Sequence, residues 1–189
     1  MPQDGKPVGI SGASMADGME LLSALDDVLA QGEHLLKSLS DGDYEGESSQ
    51  APETTIGAHY RHSLEHFQMI FEAVAGDEID YDRRARDPVL ERERSSALAL
   101  TQVLRQRARF LHAAQLQQPI VVRCQTGYGE PVSAAALSSF GREAMYVIFH
   151  AIHHYALIAM ICAGRGIAVP GNFGMAPSTL RYRRQSAAG

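Results

Sequence analysis

The chain has 189 residues, 45% hydrophobic and 21% charged, with a formal net charge of −5, which suits one domain with a substantial core. The acidic balance speaks against nucleic acid as a partner, because a phosphate backbone calls for a surplus of Lys and Arg on one face. The two cysteines, Cys124 and Cys162, lack ligand or pairing spacing, which excludes a disulfide scaffold and fits a reducing cytoplasm.

Residues 1–16 are rich in Gly, Pro, Ser and Asp without periodicity and read as a flexible leader. They contain no apolar stretch of the kind a secretory signal needs. Residues 17–189 read as a single domain. Asp17 opens the first helix, with Glu20 as the other half of a capping box. Leucines and valines then recur at helical spacing to about Leu39. The stretch SDGDYEGESSQAP is a loop by composition.

A second helix starts at Thr54 or Thr55, whose hydroxyls can cap it, and stops at Gly76. DEIDYDRRARDP reads as a polar connection with a solvated basic run, ending at Pro88 in the first turn of a third helix. That helix is predicted over Val89–Gln117, with Leu90, Ala97, Leu100, Leu104, Ala108 and Leu111 inward. Ile120–Cys124 is a β run, and TGYGE turns it into a small hairpin with Pro131–Ser133. The last long helix begins between Ser133 and Ser139 and ends at Gly164. Histidines interrupt its apolar run, so no membrane span of about 18 uncharged apolar residues is expected. The tail after Gly164 is mostly loop, with a helical turn after Pro177-Ser178. Four amphipathic helices with a small β-hairpin before the last predict an all-α four-helix bundle.

Six of the eight histidines fall on two of these helices. In FHAIHHYALIAM, His150 and His154 are four residues apart and share one face, within reach of a single ion. His153 is rotated about 100° from His154 and points away. On the second helix His59, His62 and His66 form a ridge at three- and four-residue spacing. Helical projection puts His59 nearest the centre of the apolar face, His66 intermediate and His62 furthest round. Histidines on facing helices are what a metal site inside a bundle requires. Imidazoles without cysteine suit Zn, Ni, Fe or Cu rather than Ca or Mg, and three of them leave a coordination position open. Glu65 and Glu143 are candidates to accept an imidazole N–H. Taken singly, each of these residues has a plainer reading as a solvated or internally satisfied side chain.

IGAHYRHSLEHF, SSFGREAMYVIFHAIHHYALIAM and NFGMAPSTLRYR together resemble the DinB-like family, over most of the chain after the leader. These four-helix metalloproteins share a superfamily with bacillithiol- and mycothiol-dependent transferases and isomerases. The resemblance implies an up-down-down-up bundle, a homodimer, and one divalent transition metal (Zn, Ni or Fe) held by three histidines. The family's upstream ligand is a histidine followed by two small or apolar residues and an acid, and His62-Ser63-Leu64-Glu65 matches it. The implied ligands are therefore His62, His150 and His154. His59 and His66 remain as a proton relay, as groups backing the ligands, or as a fourth ligand that closes the site.

The functional expectation is a metal-dependent enzyme of thiol S-transferase or isomerase type, with a low-molecular-weight thiol as partner. Arg61, Arg142 and the Arg181-Tyr182-Arg183 end could hold an acidic cosubstrate. A hydrolase using metal-bound water belongs to the same class. The alternatives are a non-catalytic metal-binding or stress-response protein, and an interaction protein that binds no metal. No nucleotide fingerprint, phosphate loop or Ser-His-Asp motif offers another enzyme class.

Overall fold

The computed structural model describes residues 14–47, 54–74, 76–129 and 133–187. Among these the chain is mostly helical. The four long helices are α1 (Met15–Ser38), α3 (Ile56–Ala73), α5 (Arg94–Arg109) and α6 (Phe140–Gly164). Three shorter ones are α2 (Asp41–Glu45), α4 (Pro88–Arg92) and α7 (Pro177–Ala187). The chain also forms strands β1 (Glu78–Asp80), β2 (Pro119–Gln125) and β3 (Ser133–Ser139).

The helix starts follow local chemistry. Thr55 Oγ1 accepts the Ala58 N–H at 2.9 Å, and Ser139 Oγ accepts that of Arg142 at 3.2 Å. α1 starts earlier than the composition implied. Ser14 is its N-cap, and Asp17 is the acid of that capping box rather than the cap itself. Met15 and Ala16, assigned to the leader, are thus helical; residues 1–13 of that leader lie outside the described residues.

The helix expected over Val89–Gln117 is broken. Asp87 caps α4, Glu93 turns to φ −102°, ψ 99°, and its carbonyl accepts from Ser96 and Ala97 as α5 begins. A 3₁₀ segment follows at Ala113–Gln117. Two other loop assignments also gain structure, since α2 lies within SDGDYEGESSQAP and α7 is a full helix. A hairpin forms, with β2 antiparallel to β3 and Ile120 opposite Ser138, but its second strand runs over Ser133–Ser139, where the last helix was expected to begin, and that helix starts at Phe140. Its expected Pro131–Val132 portion lies outside the described residues. On its other edge β2 pairs in parallel with β1, pairing Ile79 with Val122. That strand lies inside the segment read as a polar connection.

One core joins the long helices. Leu25, Leu29 and Leu36 of α1 meet Tyr60, Leu64 and Phe67 of α3 and Val147, Ala151, Tyr155 and Ile158 of α6, all at most 1% exposed. Tyr60 and Tyr155 stack with ring centroids 6.0 Å apart and planes within 4°. Thr101 Oγ1 donates to the Ala97 carbonyl, which leaves it as acceptor for the Tyr60 O–H at 3.0 Å. Gly57 permits the closest approach, because a Cβ there would stand 1.9 Å from the Glu91 carbonyl oxygen. α3 and α4 therefore pack backbone to backbone, which sets Arg61 against Glu91 with Nε–Oε2 at 2.9 Å.

α6 differs from expectation in one respect. By length and composition it is apolar enough to cross a membrane, with mean hydropathy 1.6 over its best window. Averaging over that window absorbs the histidines that interrupt the run. In this fold the same side chains form one wall of the core, with Val147, Ala151, Tyr155 and Ile158 buried.

Candidate metal centre

α3 and α6 pack side by side, and the contact brings their histidines together. His62 Nε2 and His150 Nε2 are 3.0 Å apart. The ring of His66 lies 4.1 Å from that of His150 and 4.6 Å from that of His62. His154 lies 4.6 Å from both His62 and His150 by ring centroid. On the far side, His59 Nδ1 and His154 Nδ1 are 2.9 Å apart. His153 is exposed on the outer face of α6, as its helical position predicts.

Hydrogen bonds fix how these rings present their nitrogens. His66 Nδ1–H donates to the His62 carbonyl at 2.8 Å, leaving Nε2 bare. A ligating histidine usually gives its other N–H to such an acceptor, which fixes the tautomer. The His59–His154 contact does the same for His154 if its Nδ1 carries the hydrogen. Donor atoms of His62, His66 and His150 lie within 4.8 Å of one another, and these three could hold a metal ion. His154, expected as a ligand, is adjacent to this group with its Nδ1 on His59.

The set fits a transition ion by its chemistry. Burial, followed by the mutual repulsion of neighbouring imidazolium charges, holds His62 down to about 2 and His154 to about 3. Burial also lowers His150 and His66 to about 4 and lowers His59. All five are then neutral near pH 7 and keep a lone pair to offer. Two nitrogens bound to one tetrahedral ion at 2.0–2.1 Å would be about 3.3 Å apart. The 3.0 Å between His62 and His150 is close to that.

The two carboxylates do different work from that expected. Glu65, 1% exposed, receives Arg61 Nη1 at 3.0 Å and the Asp87 N–H at 2.8 Å, and bonds no histidine. Glu143, also 1% exposed, accepts from Tyr81 Oη at 2.7 Å, Ser138 Oγ at 2.6 Å and Arg142 Nη1 at 3.0 Å. It reaches the histidines through Tyr81, whose ring stacks on His66 at 5.2 Å. Tyr146 stacks on His150 at 5.5 Å. Burial raises both tyrosines above the usual phenol range, so they stay neutral.

Arg61 and Arg142, read as possible anion binders, are engaged by Glu65 with Glu91 and by Glu143. Arg181, Tyr182 and Arg183 lie on the exposed helix α7. Sequence reasoning missed Tyr81, Tyr146 and Arg84. The first and last lie in the stretch taken for a solvated connection, which the pairing of β1 with β2 and the Tyr81–Glu143 hydrogen bond bring to the site.

A family model described as the DinB superfamily matches residues 24–158, which span both histidine helices. The chain belongs to the DinB superfamily. Over 104 residues it is 36% identical to a Rhizopus delemar protein called FK506-binding protein 5. That stretch is 55% of this chain and 27% of the relative, so the chain spans a minority of that protein's length. No solved structure matches.

Proposed function

We propose that this DinB chain is a metal-dependent enzyme of thiol S-transferase or isomerase type, built as an up-down-down-up four-helix bundle. The observation that carries this reading is the 3.0 Å approach of His62 Nε2 to His150 Nε2 between two helices, flanked by further neutral imidazoles. One divalent transition ion, Zn, Ni or Fe, is held by His62 and His150 with His154 as third ligand, the set the DinB resemblance implies. Zinc-type sites with three protein ligands keep a position for substrate.

When bound, the ion supplies positive charge that favours the thiolate form of a low-molecular-weight thiol. His66 keeps a bare Nε2 facing His150 and can accept the proton that the thiol gives up. The sulfur then forms a bond to an electrophilic carbon as that carbon's leaving group departs, or as its double bond shifts. Tyr81 and Tyr146 cover the rings and limit access of water.

A second reading has its own support. The convergence of His62, His66 and His150 within 4.8 Å favours His66 as third ligand, with His154 backing the group. A site closed by all four imidazoles would instead suit a structural or sensory ion in a stress-response protein.

Free Cys124 and Cys162 suit a reducing cytoplasm. Met145, Phe149 and Met160, 49%, 58% and 67% exposed along α6, offer an apolar face on which a second copy could pack. Elemental analysis of protein purified without a histidine tag tests the reading. About one transition ion per chain is expected, and a chain that stays empty after reconstitution contradicts it.

A further inference from the structure

Arg84 follows the 3₁₀ turn Tyr81–Arg83 that leaves β1, and its side chain is only 16% exposed. Its Nη1 donates to the Tyr81 carbonyl. Its Nε is buried without a hydrogen-bond partner among the described residues. The nearest carboxylate oxygen, Glu65 Oε2, is 3.9 Å from that Nε and already accepts from Arg61 at 3.0 Å. Nη2 makes no hydrogen bond among the described residues and is not a buried atom, so it is the open end of the fork.

A buried guanidinium donor without a partner is destabilising, and such atoms are rare in folded proteins. The cost is understandable where a ligand completes the bond. The position of Arg84 supports that account. Its Nη1 holds the carbonyl of Tyr81, whose ring stacks on His66 at 5.2 Å, and its Nε is 3.9 Å from Glu65, the residue before His66 on α3. It therefore stands beside the candidate metal centre rather than on the outer surface. The other arginines near the site are already matched, Arg61 by two carboxylates and Arg142 by Glu143.

We propose that Arg84 is the anion-binding group of the histidine site, and that the small molecule bound there carries a carboxylate, which sits on the Nε–Nη2 edge of its guanidinium. That edge presents two parallel N–H donors, which a carboxylate matches with its two oxygens. A monoanion suits the place better than a dianion, because buried Glu65 stands 3.9 Å from Nε and repels a second negative charge at short range. The inference deepens the proposed function and rests on it for one point, that a thiol group occupies the histidines. It narrows the substrate class to acids, either a thiol that bears a carboxylate or an acidic electrophile presented to the thiol.

The test uses the full chain in two arms. In the first, the Arg84 Nε–H resonance of 15N-labelled protein is followed during titration with propionate, propionamide and inorganic phosphate. Propionate should shift it saturably, while the neutral amide should not and phosphate should do so at least several-fold more weakly. In the second arm, the cobalt-loaded protein is titrated with 3-mercaptopropionate and with 2-mercaptoethanol, following its visible spectrum. The acid should bind about tenfold or more tightly than the neutral thiol, and Arg84→Gln should remove that preference. A resonance indifferent to propionate, or equally responsive to the amide, overturns the proposal, as does a preference that survives Arg84→Gln. Phosphate binding as tightly as propionate overturns the carboxylate assignment. If propionate shifts Arg84 and neither thiol changes the cobalt spectrum, the anion site stands and the thiol reading fails. The first arm needs no variant, so a poorly folding Arg84→Gln protein does not block it.

Discussion

His59 Nδ1 stands 2.9 Å from His154 Nδ1, a contact that joins the start of α3 to the second half of α6. One nitrogen must carry the hydrogen, and if it is that of His154, His59 fixes the tautomer that frees His154 Nε2 for an ion. Partners of this kind typically contribute 10–100-fold in metal affinity. His59→Ala should therefore weaken zinc binding by about that factor, measured by competition with a chromophoric chelator. His154→Ala should remove binding almost entirely, and His66→Ala should leave most of it. The reverse order for His154 and His66 would move the third ligand to His66, in keeping with the convergence of His62, His66 and His150.

The contact between α1 and α5 makes a separate prediction about acid stability. Glu33 is buried and accepts from Lys37 at 2.6 Å, Gln102 at 3.1 Å and Arg105. The bond to Lys37, then those to Arg105 and Gln102, hold its carboxyl down to about 2. Its folded value is thus below the unfolded value of about 4.3. The unfolded chain binds the extra proton in that window, so stability rises with pH there. The contribution is fully present above about pH 4.5 and is lost as pH falls toward 2. Glu33→Gln should lower stability at pH 7 by roughly 1–3 kcal/mol, and should flatten the acid limb between about pH 4.5 and 2 in urea denaturation. An unchanged acid limb would show that Glu33 does not titrate with folding.

What the sequence made legible was local. Hydroxyl caps at Thr55 and Ser139 follow from residue type, and so do the faces of α3 and α6. His153 is exposed for the same reason, its offset of about 100° from His154. The break at Glu93 carries no glycine or proline, so nothing in ERERSS separates α4 from α5. β1 has three residues and exists as a strand because β2 pairs with it, a contact between segments far apart in the chain.

The histidine ridge shows the same limit. Projection put His59 at the centre of the apolar face, yet His66 is the buried one, at 2% exposure. α6 approaches α3 on the flank, and Tyr81 and Tyr146, from distant parts of the chain, cover His66. Periodicity measures how apolar a face is. It does not say which neighbour lands where, and so Arg84 read as one charge in a solvated run.

The proposed function turns on His62 and His150 holding one transition ion between α3 and α6. Cobalt titration of the wild-type chain and of His62→Ala, His150→Ala and His153→Ala tests it most directly, by visible absorption and by chelator competition. Saturation near one ion per chain is expected in the wild type and in His153→Ala. Binding should fall by about a hundredfold or more in each of the other two. Undiminished binding in His62→Ala or His150→Ala, with the fold intact by circular dichroism, would contradict it.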